Sequence, residues 1–170
     1  MAAFNESEIA DRRDWPLLRN GAITLYFRPE ALAEDVAWLR EHQYEVYSFD
    51  CAAWETEADF HADVSRQFGF PGYYGRNLQA LNDCLSRLDV PEAGGVALQL
   101  MRIDRFASRM PAFAWEVLDI IEQNSRDFLL TGRRFMALAQ SDDPRLEFDP
   151  VGACRISWNA REWLDKNRGL

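Results

Sequence analysis

The chain has 170 residues, with 28 acidic and 19 basic side chains and a formal net charge of −9. Hydrophobic residues make up 48% of it and aromatic residues 13%, which is enough apolar material for a buried core and excludes intrinsic disorder for most of the chain. No apolar run approaches the ~20 residues that a membrane-spanning helix needs, and no basic start with an apolar stretch opens the sequence. These features predict a soluble, cytoplasmic protein.

Hydrophobic periodicity predicts strands that alternate with helices after a ragged, weakly helical first stretch of about 20 residues. In chain order, the predicted elements are a strand at 22–27, a helix at 29–42, a strand at 46–51, helices at 58–68 and 77–88, a strand at 95–101, a helix at 111–127, strands at 135–139 and 153–158, and a short terminal helix containing Trp163 and Leu164. Strands separated by helices predict an α/β fold with a mainly parallel β-sheet flanked by helices.

Two of the predicted helices carry the clearest signals. In the first, Phe60, Val64 and Phe68 recur every four residues and so share one face, and Gly69 follows as a typical C-terminal residue. In the second, leucines form an apolar stripe on one side. Asn77 is placed to cap this second helix, because its side-chain oxygen can accept a hydrogen bond from the first turn.

The metal-binding and thiol residues form no pattern. Cys51, Cys84 and Cys154 are an odd number at wide spacing, which indicates neither a disulfide framework nor a metal site, and we interpret them as small buried hydrophobic residues. His42 and His61 lie far apart in the sequence, and we interpret His61 as a structural histidine. No metal or cofactor is therefore predicted.

The charge pattern argues against nucleic acid as a partner, because duplex binding needs a concentrated basic surface. Lys166 is the only lysine, and the arginines are scattered among acids along the sequence. An acidic surface instead favours a cationic protein partner.

The most unusual segment reads FPGYYGRNLQALNDCL, residues 70–85. A proline and two glycines bracket adjacent tyrosines, so the loop is sharply bent and must expose at least one ring. Tyr74 is predicted to pack inward and Tyr73 to face outward, since neighbouring side chains in a bent loop cannot both face one partner. Polar residues repeat every four positions opposite the leucine stripe: Gln79, Asp83 and Arg87.

This run resembles the core signature of the barstar family, the intracellular inhibitors of barnase-type ribonucleases. The shared features are its Pro, paired Tyr, Gly, Asn-Leu, Ala-Leu and Asp-Cys-Leu at matching spacing. The likeness extends back through Asp59-Phe60-His61 to about Glu45 and, with strands and helices in the family's order, forward to about Gln140.

The resemblance implies a barstar-like fold with an extra strand and helix at each end. We predict an N-terminal extension over 1–44 that joins the same sheet, a barstar-like core over 45–141, and a C-terminal strand and helix over 142–170. All three are expected to form one globular unit. The extensions either lengthen the sheet at its edges or create a second binding surface.

The resemblance further implies a non-catalytic inhibitor of a cationic ribonuclease. A carboxylate on a rigid helix can occupy the place of an RNA phosphate and accept charge-assisted hydrogen bonds from active-site cations. Asp83 matches the family's principal inhibitory aspartate, and Tyr73 matches a contacting tyrosine. Gly75 and Asn77 match positions that shape the loop and start the binding helix.

Departures from the family pattern lie beside these matches. Gln79 replaces an aspartate, Arg76 replaces a glutamate, and Leu88 stands where the family's namesake has an exposed tryptophan. These differences favour a nuclease partner other than barnase itself, or no nuclease partner.

Three further residues complete the predicted partner-binding set. Arg87 belongs to the polar face of the binding helix, and Gln123 on the long helix falls near a contacting glutamate of the family, with Glu122 adjacent. Either of these two residues can align with that glutamate.

Two other classes of function remain open at this stage. One is a barstar-like interaction module with a non-nuclease partner. The other is an enzyme in which Cys84 and His61 act as nucleophile and base, although no orienting third group, oxyanion loop or phosphate-cradling motif accompanies them. The oligomeric state is left open by the sequence.

Overall fold

The computed structural model describes residues 3–4, 9–162 and 168. The strands are β1 Ile23–Tyr26, β2 Tyr44–Asp50, β3 Gly95–Met101, β4 Phe135–Gln140 and β5 Ser157–Trp158. The helices are α1 Asp14–Leu18, α2 Pro29–Glu41, α3 Glu57–Phe68, α4 Leu78–Leu85, α5 Ile103–Arg109 and α6 Pro111–Leu130, with single 3₁₀ turns at Ile9–Asp11 and Cys51–Ala53. No helix in this described part is long and apolar enough to cross a membrane.

One five-stranded sheet organises the molecule, in the order β2-β3-β4-β1-β5, and each strand pairing within it is parallel. This architecture confirms the predicted α/β fold with a parallel sheet and flanking helices. The strands β1 and β5, which come from the two predicted extensions, lie side by side beyond β4. The central strand β4 is buried along its whole length because both of its faces are covered.

Side chains from the two faces of the sheet pack into two separate cores. Ala137 and Ala139 of β4 face the larger core with α3 to α6, whereas Met136 and Leu138 face a smaller core with α1 and α2. Helices therefore cover both faces of the sheet.

Buried carboxylates tie the two extensions to each other and hold α2 against β1. Glu162 accepts hydrogen bonds from the backbone N–H groups of Phe27 and Arg28, at 3.1 and 2.8 Å. Asp35 of α2 accepts from the Tyr26 hydroxyl at 2.7 Å. Such bonds satisfy groups that would otherwise be buried unpaired, at a cost of about 1–3 kcal/mol each.

Three elements, α5, β5 and α4, differ most from the sequence prediction. The sequence missed α5, which lies between Arg102, whose φ is +54°, and the proline that opens α6. The fifth strand was predicted from Ala153 but covers only Ser157–Trp158, because Val151 and Cys154 first pair with each other in a tight turn.

The helix predicted to reach Leu88 ends instead at Leu85. Ser86 follows as its C-cap, and the Ser86 hydroxyl donates to the Asp83 carbonyl oxygen at 3.0 Å, which competes with continuation of the helix. The predicted terminal helix with Trp163 and Leu164 lies outside the described residues.

Candidate functional site: the tyrosine loop and helix α4

The segment 70–77 is a tight loop that leads directly into α4, and we call it the tyrosine loop. Arg76 has a left-handed backbone, with φ +49°. Asn77 is the N-cap of α4: its side-chain oxygen accepts from the Ala80 N–H at 2.9 Å, and its amide donates to the Gly75 carbonyl at 3.2 Å. These bonds fix the loop against the start of the helix.

The two tyrosines point in opposite directions. Tyr73 is 83% exposed, whereas Tyr74 is buried and its hydroxyl lies 2.6 Å from Nδ1 of the buried His61. Burial raises the pKa of Tyr74 to about 12 and lowers the pKa of His61 below its ordinary value. Tyr74 and His61 thus support the loop from beneath, and Tyr73 is free to meet a partner.

Helix α4 separates its apolar and polar residues as the sequence predicts. Leu81 and Leu85 are 1% and 2% exposed, and they anchor the helix in the larger core. Gln79 and Asp83 lie on the exposed side of the helix, and Arg87 is exposed just after its end. The buried leucines hold the polar side chains on a fixed backbone.

A concave groove of about 550 Å³ lies between the tyrosine loop and α4. Its lining includes four of the predicted residues: Tyr73, Gly75, Asp83 and Arg87. Arg76, Asn77 and Gln79 are exposed but lie outside this lining. Leu88 also lines the groove, in a turn after α4.

Asp89 is a groove residue that the sequence reading missed. It is exposed and lines the groove together with Asp83. Its only sequence signal is its position directly after Leu88. The charged residues of the lining are therefore two aspartates and Arg87, so the groove is weakly acidic even though the nearby Arg76 is basic.

The Asp83 carboxylate has no hydrogen-bond or ion-pair partner among the described residues, in contrast to the buried Asp14, which pairs with Arg12 and Tyr44. An exposed carboxylate without an internal partner keeps all its acceptor positions for a ligand. Asp83 can therefore accept several charge-assisted hydrogen bonds from an incoming cation.

The two neighbours on the long helix α6 behave differently. Glu122 is only 4% exposed, and its carboxylate accepts from the Ala22 N–H at 2.6 Å and lies 3.7 Å from Arg126. It does not join the exposed surface, because its acceptor groups serve the link to the N-terminal extension. Gln123 is exposed and donates to the Asp119 carboxylate.

The structure offers no support for catalysis by Cys84. Burial raises the pKa of the Cys84 thiol, which disfavours the reactive thiolate, and His61 Nδ1 contacts the Tyr74 hydroxyl. In the described ranges, no group of three or more His, Cys, Asp or Glu side chains is arranged to hold a metal ion. The groove is a surface suited to recognition by exposed aromatic and charged side chains.

Comparison with known proteins identifies the family of this chain. A family model described as "Barstar (barnase inhibitor)" matches residues 44–140, a segment that contains the tyrosine loop and α4. "Putative ribonuclease inhibitor YrdF" of Bacillus subtilis (strain 168) is 36% identical over 64 residues, which cover 37% of this chain and 66% of that protein. The match thus spans just under two thirds of the curated relative. Because the family model covers more than half of the chain, this protein belongs to the barstar family.

Proposed function

We propose that this protein is a non-catalytic inhibitor that binds a cationic ribonuclease and covers its active site with the tyrosine loop and α4. The observation that carries the proposal is that one groove holds both Tyr73, which is 83% exposed, and the Asp83 carboxylate, which has no partner within the described ranges. A ribonuclease active site holds cations for RNA phosphates, and Asp83 would take the place of such a phosphate.

Rigidity supports this assignment. Aspartate and tyrosine lose little rotamer freedom on binding, and the loop beneath them is held by the Asn77 cap and the Tyr74–His61 contact. Groups that are already ordered lose less conformational entropy on binding. Tyr73 would add rigid amphipathic area at the centre of the interface.

The proposed contact set follows from exposure. It contains the groove residues Tyr73, Gly75, Asp83, Arg87 and Asp89, with Arg76, Asn77, Gln79 and Gln123 at its margin. Glu122 is left out because it is buried. Gln79 carries no charge, and Asp89 would supply the second carboxylate of the contact set.

A panel of purified microbial ribonucleases tests the proposal, including any nuclease encoded beside this gene. At micromolar concentration, the protein should bind at least one of them in a stoichiometric complex and abolish RNA cleavage. The double variant Tyr73→Ala/Asp83→Ala should no longer inhibit the nuclease, so RNA cleavage should return. If no nuclease in the panel is bound or inhibited, the inhibitor proposal should be abandoned in favour of a non-nuclease partner.

Salt dependence tests the cationic character of the partner. Electrostatic steering by an acidic protein accelerates encounter with a basic one, and added salt screens it. We expect the association rate of an inhibited nuclease to fall with salt while the dissociation rate changes much less. An association rate that ignores salt would contradict a cationic partner.

A further inference from the structure

A second concave site lies outside the family-matched segment, where the two chain extensions meet. It is a cleft of about 400 Å³ between the α1 region and β5, and it shares no lining residue with the groove of the tyrosine loop. We call it the arginine cleft. Its lining comes mainly from residues 13–24 and 155–161, with Asp35 from α2.

The arginine cleft is basic although the protein is acidic. Its lining contains four arginines, Arg13, Arg19, Arg155 and Arg161, and Asp35 is its one lining carboxylate. The formal charge of the lining is therefore +3 in a chain of −9. Glu34 pairs with Arg161 from outside the lining, and including it leaves +2.

Two of these arginines are held in place and two are free. Asp35 accepts from Arg161 Nη2 at 2.7 Å and lies 3.4 Å from Arg13 Nη1. Arg19 and Arg155 are exposed, and their guanidinium groups contact no hydrogen-bond or ion-pair partner among the described residues. The cleft thus combines two positioned guanidinium groups with two that can close on a ligand.

Asn159 places a polar side chain with an unsatisfied donor in the wall of the cleft. Its side chain is 6% exposed and lines the cleft. Its Oδ1 accepts from the Arg161 backbone N–H at 3.2 Å, whereas its Nδ2 is buried without any hydrogen-bond partner in the described part of the chain. An unpaired buried donor is unfavourable, so such groups in native proteins usually have an acceptor.

We propose that the arginine cleft binds a small phosphate-bearing anion. Guanidinium groups match the geometry of phosphate oxygens with paired hydrogen bonds, and Asn159 lies in the wall of the same cleft. The volume lies in the range of small-molecule sites, roughly 300–1,000 Å³. A long nucleic acid is disfavoured because the remaining surface of this acidic protein would repel its phosphates.

Nuclear magnetic resonance titration of the ¹⁵N-labelled full chain tests the proposal with inorganic phosphate and with adenosine 5′-monophosphate, against adenosine alone. We expect saturable shifts of the Asn159 side-chain amide with both phosphate-bearing probes and none with adenosine. Tighter binding of the monophosphate would indicate a nucleotide ligand, and equal or tighter binding of inorganic phosphate a free phosphate. The absence of saturable shifts up to about 10 mM of either probe would overturn the proposal.

A matched pair of variants separates this site from bulk charge. Arg19→Ala/Arg155→Ala should weaken phosphate binding at least about tenfold. Arg40→Ala/Arg145→Ala removes the same charge from two exposed arginines outside the cleft and should change the affinity less than about twofold. Equal losses in the two double variants would overturn the proposal. The single variants Arg19→Gln and Arg155→Gln give the same comparison if a double variant loses its native spectrum.

Discussion

The groove of the tyrosine loop and the arginine cleft differ in how the chain builds them. The groove is formed by one continuous stretch, residues 68–89, whereas the cleft joins residues 13–24 to residues 155–161 through Asp35. The groove lining is weakly acidic and the cleft lining is basic. The net charge of −9 therefore describes neither surface, and each must be judged from its own side chains.

The largest expected effect concerns the support of the groove. Leu81→Ala removes a side chain that is 1% exposed in the larger core beneath α4, and should lower the free energy of unfolding by about 2–5 kcal/mol. Gln79→Ala, on the exposed side of the same helix, should change it by less than about 0.5 kcal/mol. Urea unfolding followed by circular dichroism measures both. Similar losses in the two variants would mean that α4 does not rest on its leucine face.

The neighbours Glu122 and Gln123 should affect different properties. Glu122→Ala leaves the Ala22 N–H without its acceptor and should cost about 1–3 kcal/mol of unfolding free energy. Gln123→Ala should leave stability nearly unchanged, because its side chain is exposed. Urea unfolding decides between these outcomes, and greater destabilisation by Gln123→Ala would contradict the structural role of Glu122.

Lowering the pH should reduce the stability of the protein through protonation of His61, which supports the tyrosine loop. Burial lowers the pKa of His61 in the folded state below its ordinary value of 6.5, so the unfolded chain binds a proton that the folded chain resists. The contribution of His61 to stability is present above pH 6.5 and is lost as pH falls from 6.5 toward its folded-state pKa.

Urea unfolding at a series of pH values between about 7.5 and 5 measures this loss. His61→Gln should reduce the fall in stability across that range. His42→Gln, which removes an exposed imidazole at the end of α2, should retain it. The same pH dependence in wild type and His61→Gln would mean that His61 does not cause the loss of stability in acid.

The smallest expected effect is that of the cleft on the groove. The two sites share no lining residue, so Arg19→Ala/Arg155→Ala should change the affinity for an inhibited nuclease by less than about twofold. A nuclease-binding titration of this variant measures the effect. A large loss would mean that the extensions contribute directly to nuclease recognition.

The sequence predicted the local structure around the groove, because the residues that form it are close in the chain. The leucine stripe and the Asn77 cap are local patterns, and both are present in α4. Spacing alone could not distinguish buried Glu122 from exposed Gln123, because their difference depends on where the backbone of Ala22 lies.

The arginine cleft could not be predicted from the sequence, because its lining comes from distant segments of the chain. Arg13 and Arg161 are far apart in the chain, and the pairing of β1 with β5 in the sheet brings their segments together. The helix α5 was missed for a different reason. It has only seven residues, and its apolar positions Ile103, Phe106 and Ala107 make a pattern too short to separate from the adjoining strand and helix.

Comparison of Asp83→Ala with Asp149→Ala tests the central claim most directly. Both variants remove one carboxylate from an exposed position, but only Asp83 lies in the groove. For a nuclease that the wild-type protein inhibits, Asp83→Ala should raise the dissociation constant about 30-fold or more, because it leaves active-site cations without their acceptor. Asp149→Ala should change it less than about twofold. Equal losses would show that overall charge, and not the groove of the tyrosine loop, carries recognition.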